Sequence, residues 1–127
     1  MSNTLPKEVL VVEDEPLVRM VAAGALTDRG IRTWEARDAE EALDVLHRHP
    51  GISVVFTDVN MPGAMNGLGL ANQVSVIRPD VKLVVTSGAV RIADADLPDH
   101  GTFLPKPYGT EVMVDLVTGK LDAASLP

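Results

Sequence analysis

Three stretches of this chain are apolar almost without a break and then stop on polar side chains. They are VLVVE at residues 9–13, ISVVFTD at 52–58 and VKLVVTS at 81–87. Runs of four to six apolar residues that do not alternate suit strands buried on both faces, which is the situation in a parallel sheet covered by helices. IRTWEA at 31–36 opens with an alternating pattern, and TFLPK at 102–106 is a shorter run, so five strands are predicted.

Helical spacing fills the gaps. Val18, Val21, Ala22 and Ala25 recur at i, i+3, i+4 and i+7, with Pro16 in the first turn and Gly30 as the stop. A second helix opens on Asp38 as N-cap with Glu41 three residues on, carries Ala39, Ala42, Leu43 and Leu46, and ends at Pro50 and Gly51. A third runs from about Gly67 with Leu70, Ala71, Val74 and Ile77 inward, and Pro79 ends it. The last starts near Thr110 and turns Met113, Leu116, Val117 and Leu121 to one side. GAVRIADADLPDHG, residues 88–101, stands where a further helix belongs; it is acidic and contains Pro98, so only a turn or two of helix is expected there. The tail DAASLP is expected to fray. Strand and helix alternate five times, which specifies an α/β protein with a parallel sheet.

Composition narrows the function. The 127 residues suit one domain, and 46% hydrophobic residues suffice for a core. A net charge of −7 with no basic patch argues against nucleic-acid binding. Cysteine is absent, which excludes disulfides, thiol catalysis and thiolate metal sites. No signal-like or membrane-spanning run occurs, so a cytoplasmic protein with no membrane partner is expected.

In open parallel sheets the ligand site lies beyond the carboxyl ends of the strands. Strand 1 ends in Glu13, Asp14 and Glu15, strand 3 in Asp58, strand 4 in Thr86 and Ser87, and strand 5 in Lys106. With strand order 2-1-3-4-5, Glu13, Asp14 and Asp58 crowd one corner. Two like charges about 4 Å apart repel by roughly 4 kcal/mol at an effective dielectric near 20. Either one acid takes a proton or a cation sits among them, and Mg²⁺ is the expected occupant because it takes few carboxylates and keeps water. Lys106 adds a point charge and Thr86 a hydroxyl donor, a set that suits phosphoryl transfer to Asp58. Taken singly, each residue has a plainer reading: Asp58 as a turn starter, Thr86 as a strand residue, Lys106 as a turn lysine. Their convergence carries the case. His47 and His49 are read as solvated near a helix end, Trp34 as packing or edge cover, and Glu15 without a site role.

VVEDEP, TDVNMPG, VVTSG and LPKPY, in this order, resemble the receiver domain of two-component response regulators, similar to the chemotaxis regulator, over about residues 7–121. The resemblance implies a three-layer, doubly wound (βα)5 flavodoxin-like fold with sheet order 2-1-3-4-5, from which the short or irregular helix 4 read from residues 88–101 is the most serious departure. It implies one receiver domain over residues 1–127 with flexible termini and no output domain. It also implies Asp58 as phospho-acceptor, Asp14 as direct Mg²⁺ ligand, Glu13 acting through water and Asn60 offering its main-chain carbonyl. Thr86 and Lys106 would contact the phosphoryl group, the Lys106–Pro107 peptide would be cis, and Phe103 would be the aromatic switch that follows Thr86. The donor would be a histidine kinase or phosphotransfer protein, and the output a conformational change read by a protein partner or a phosphorylation-dependent homodimer. Beyond its own phosphorylation and dephosphorylation no enzymatic activity is implied. The segment 88–101 is expected to be mobile before phosphorylation.

The chain departs from the commonest pattern in its MPGAMNG loop, one residue longer, and in Glu-Asp where Asp-Asp is frequent. Other readings remain at this point. A degenerate receiver would dock regardless of phosphorylation. An aspartyl-phosphate hydrolase would want a second carboxylate where Asn60 stands. A flavin module would want a phosphate-cradling loop in place of EDEPL.

Overall fold

The computed structural model of the protein describes residues 7–98 and 101–124. Strands β1 (Glu8–Val12), β2 (Arg32–Ala36), β3 (Ile52–Asp58), β4 (Lys82–Ser87) and β5 (Thr102–Pro105) form one sheet in the order β2-β1-β3-β4-β5. Every neighbouring pair is parallel. Helices α1 (Pro16–Asp28), α2 (Ala39–Arg48), α3 (Gly67–Ile77) and α4 (Thr110–Ala124) cover it. The uninterrupted runs are strands because both faces are used. Leu10, Val12, Val55, Leu83 and Val85 pack toward α2 and α3, while Val9, Val11, Val54, Phe56 and Val84 pack toward α1 and α4. The three layers and the strand order are those expected from the sequence.

Local chemistry sets the helix ends. Pro16 opens α1, and Gly30, at φ +78°, closes it by donating to the Thr27 carbonyl at 2.8 Å. Asp38 caps α2 by accepting from the Glu41 N–H at 2.9 Å. The return bond from Glu41 goes one residue further back than a capping box has it, to the Arg37 N–H. Asn66 caps α3 by accepting from the Gly69 N–H at 2.9 Å.

Residues 88–98 carry the 3₁₀ turn Asp94–Asp96 in place of the further helix. Scattered anchors hold this segment: the Ala89 and Val90 N–H groups donate to Ser87 Oγ at 3.1 and 3.3 Å, Ile92 packs on the α2–α3 cluster, Leu97 is buried, and the Asp94 carboxylate accepts from the Phe103 N–H of β5 at 2.8 Å. Residues 99 and 100, the rest of that expectation, lie outside the described residues, as do 1–6 and 125–127 of the termini. In the tail DAASLP, α4 extends to Ala124.

Three local expectations need correction. The buried stripe of α1 is Ala22, Ala23 and Leu26, and Val21 is 57% exposed. Alanines let the helix backbone lie close to the sheet, so the helix docks on them and turns Val21 outward. Ile77, in the last turn of α3, is 49% exposed and overhangs a hollow beside Leu46, Pro50 and Arg78. His49 is not merely solvated: its ring stacks on Trp34, centroids 3.6 Å apart, while the indole N–H donates to Glu8. Among the described residues no helix is long and apolar enough to cross a membrane.

Candidate functional site

The parallel register brings the chemistry-bearing residues to one edge. Asp58 lies directly across from Thr86, and Ser87 across from Pro105, so the chain leaves β3, β4 and β5 side by side. The turn after β3 is pinned twice, by the Val59 N–H on the Thr86 carbonyl and the Gly67 N–H on the Val59 carbonyl, both 2.9 Å. Gly67 is required there: a Cβ on it would lie 2.0 Å from the Asp58 carbonyl oxygen. After β5, the Lys106 N–H bonds the Ser87 carbonyl at 3.1 Å, and the Lys106–Pro107 peptide is cis.

Glu13, Asp14 and Asp58 each place a carboxylate oxygen within 4.8 Å of the others. Glu13 and Asp58 are buried, at 5% and 6% exposure, and Asp14 is half-buried. The ammonium of Lys106 reaches into this corner, 3.2 Å from Glu13 Oε1 and 3.5 Å from Asp58 Oδ1. Glu13 Oε2 accepts from the Glu15 N–H at 3.1 Å. Lys106 thus already offsets part of the acidic crowding.

That offset is incomplete. Burial pushes the Asp58 carboxyl above its ordinary value, although Lys106 and the main-chain N–H groups of Asn60 and Val59 pull it down. Glu13 is likewise raised, by burial first and then by the charge of Asp58, against the lowering bonds from Glu15 and Lys106. Burial works against the charge on Lys106, but the Glu13 hydrogen bond and the field of Asp58 outweigh it and hold this group above its usual value. Two acids that resist ionisation around one ammonium form a corner with capacity for further positive charge.

Thr86 is 2% exposed, and its Oγ1 makes no hydrogen bond. An orphaned buried hydroxyl costs stability unless something later accepts its proton. It lines the same narrow cleft as Glu13, Asp58, Phe56 and Tyr108. Oxygen ligands from three carboxylates, an adjacent ammonium and this unspent donor fit a hard divalent cation together with an anionic oxygen group. Asn60 is exposed just past Val59, in the turn beside Asp58.

Phe103 stands across from Val85, one register step from Thr86, and packs with the α2–α3 cluster. Thr86 pairs with Leu104, which belongs to the α1–α4 cluster. The two residues therefore begin on opposite faces of the sheet, a relation hidden in the sequence because it depends on strand register.

Two site residues were not anticipated. Tyr108 meets Phe56 edge-on at 5.6 Å and lines an open, largely apolar groove of about 610 Å³ with Leu17, Val18, Val21 and Pro107. Arg19 donates from Nη1 to the Glu13 carbonyl at 2.8 Å and from Nε to Glu35 at 3.2 Å. Tyr108 follows Lys106 by two positions and could have been found from that proximity. Arg19 could not, because a main-chain acceptor leaves no mark in a sequence.

An open parallel sheet with acids, a hydroxyl and a lysine along its carboxyl edge defines a class of α/β protein whose chemistry sits on loops outside the strands. Within that class the chain belongs to the response regulator receiver domain family, whose model matches residues 9–118. It is 36% identical over 118 residues to the sensor kinase CckA of Brucella abortus, covering 90% of this chain and 12% of the kinase. It is 30% identical to the response regulator receiver protein CpdR of the same organism, covering 93% of this chain and 99% of CpdR. The solved receiver domain of the hybrid histidine kinase CckA superposes with a TM-score of 0.77 at 33% identity, over 90% of this chain and 98% of that one. A CheY-like receiver domain protein from Methanospirillum hungatei superposes with a TM-score of 0.82 at 20% identity, over 94% of this chain and 97% of that one, a likeness of fold. The chain therefore matches a small part of one curated relative and nearly the whole of another. Receiver domains serve two-component signalling, and CckA is itself a kinase that carries one.

Proposed function

We propose that this protein accepts a phosphoryl group on Asp58 from a phosphohistidine on a sensor kinase or phosphotransfer protein, and signals the event to a protein partner by a change of shape. The single observation that carries the reading is the buried Asp58 carboxylate flanked by the Lys106 ammonium and sharing a cleft with the unspent Thr86 hydroxyl. Glu13, Asp14, Asp58 and the main-chain carbonyl of Asn60 would hold Mg²⁺, Glu13 through water. When bound, the ion would neutralise charge on the phosphoryl oxygens.

Asp58 Oδ attacks phosphorus in line. The new O–P bond forms as the donor's N–P bond breaks, and the electron pair stays on the imidazole nitrogen. Lys106 exchanges its contact with Asp58 for one with a phosphoryl oxygen, and the Thr86 hydroxyl donates to another. Movement of Thr86 then frees room at the β4–β5 edge. Phe103, one register step away on the opposite face and held at its N–H by Asp94, would respond through the shift of β5 rather than by direct contact. A phosphoryl group biases this equilibrium only by the contacts it makes better in one state than in the other. The apolar groove beside Lys106 supports a protein as donor, since a face with exposed Leu17 and Val21 gains by being covered. Residues 1–127 act as one receiver unit in the cytoplasm, and turnover is confined to the chain's own phosphorylation and dephosphorylation.

The test is incubation with Mg²⁺ and acetyl phosphate followed by intact-mass measurement. One added phosphoryl mass on the native protein and none on Asp58→Ala is expected. No uptake, or equal uptake by both, would reject the reading.

A further inference from the structure

We infer that Arg19 is a positioning residue for the metal-binding acids, acting through the main chain of Glu13. The inference rests on the reading of Glu13 and Asp14 as holders of a divalent cation. Arg19 lies on the first turn of α1, where its own N–H bonds the Glu15 carbonyl at 2.9 Å. Its side chain is mostly covered, at 21% exposure. One arm donates to the Glu13 carbonyl at 2.8 Å, and Nε donates to Glu35 in β2 at 3.2 Å.

The Glu13 carbonyl belongs to the peptide unit that joins Glu13 to Asp14. Fixing that oxygen fixes the plane from which Asp14 departs, because a trans peptide is rigid. On its other side Glu13 is held by its N–H on the Ala36 carbonyl at 3.0 Å. The two acids thus leave a main chain clamped from β2 below and from α1 above. A planar fork presents donors in fixed, divergent directions to a carbonyl and a carboxylate at once, whereas a lysine would have to reach both from one pivoting nitrogen on a flexible stem. Glu35 also balances the arginine charge, so the clamp adds little net positive charge beside a cation site.

Position and charge make opposite predictions, which gives the inference its test. Removing a nearby positive charge should tighten a dication by electrostatics alone. Removing a residue that orients ligands should weaken it, and loss of such an outer partner weakens metal binding by roughly ten-fold or more. Mg²⁺ alone is titrated calorimetrically into the full chain as wild type, Arg19→Met and Arg19→Lys. Arg19→Met is expected to raise the dissociation constant about ten-fold, and Arg19→Lys, whose single nitrogen cannot match both acceptor directions, about three-fold. In the metal-free proteins the Glu15 amide resonance, which reports the bond to Glu13 Oε2, should shift in Arg19→Met, while the unfolding midpoint in chelator shows whether the fold is kept. Equal or tighter Mg²⁺ binding by Arg19→Met overturns the inference; if that variant does not fold, unchanged binding by Arg19→Lys overturns it. A wild-type protein that takes no Mg²⁺ would instead overturn the site reading itself and this inference with it.

Discussion

Replacing Asp58 by asparagine should make the metal-free protein more stable, although it removes an ion-pair partner of Lys106. At an effective dielectric near 20, Lys106 at 3.5 Å attracts the Asp58 carboxylate by about 5 kcal/mol, and each neighbouring acid within 4.8 Å repels it by about 3.5 kcal/mol. Asp14 is partly exposed, so its share is screened. Burial adds a further penalty and is the main cause of the raised Asp58 value. The balance favours the amide by about 1 to 2 kcal/mol, or roughly 3 to 8 °C in melting temperature. The pH dependence has a definite sign. A carboxyl raised in the folded state carries no penalty below its unfolded value, where it is protonated in both states. The penalty grows as pH rises through the interval up to the folded value and is complete above it. The gain from Asp58→Asn should therefore be absent in acid and grow as pH rises, becoming full once the folded carboxyl has ionised. Urea unfolding in chelator gives the measurement. Mg²⁺ should reverse the order, because wild type gains about 2.7 kcal/mol at a hundred times the dissociation constant and the variant, short of one ligand, gains less. An asparagine variant less stable than wild type in chelator at neutral pH, or one stabilised equally by Mg²⁺, refutes the reasoning.

Other outcomes follow from single contacts. Gly67→Ala should lower stability by about 1 to 3 kcal/mol in urea unfolding and impair phosphoryl uptake, since its Cβ would lie 2.0 Å from the Asp58 carbonyl oxygen. Thr86→Val should be neutral or stabilising, by up to about 1 kcal/mol, because the hydroxyl it removes has no partner. The same variant should still accept phosphate but lose the spectral change at β5 that follows, as read by amide shifts. Hydrogen exchange over residues 88–98 of the unphosphorylated protein should be faster than over α1, since a short 3₁₀ turn and scattered side-chain anchors, not a helical ladder of hydrogen bonds, hold that segment; equal protection would contradict this.

The sheet was legible because strands buried on both faces leave unbroken runs such as Val9–Val12, and their order fixes where the polar ends must meet. Asp58, Thr86 and Lys106 could thus be brought together from three distant stretches. What stayed hidden depends on phase and register. In VRMVAAGAL, residues 18–26, apolar side chains surround the helix, so the valine and alanine stripes fit the helical period alike, and only docking selects Ala22, Ala23 and Leu26. The stacking of His49 on Trp34 joins the edge strand to the turn after α2, which no local pattern announces. Phe103 and Thr86 look adjacent as strand-end residues, yet pairing of Phe103 with Val85 sets them on different faces. Arg19 was missed because its acceptor is a backbone oxygen.

The most direct test is chemical trapping of the acyl phosphate. After reaction with acetyl phosphate and Mg²⁺, borohydride reduction converts a phosphorylated aspartate to homoserine, and peptide mapping by mass spectrometry locates it. Homoserine at position 58 alone is the predicted result. Homoserine at Asp14, reduction spread over several carboxylates, or none in native protein that binds Mg²⁺ would contradict the account.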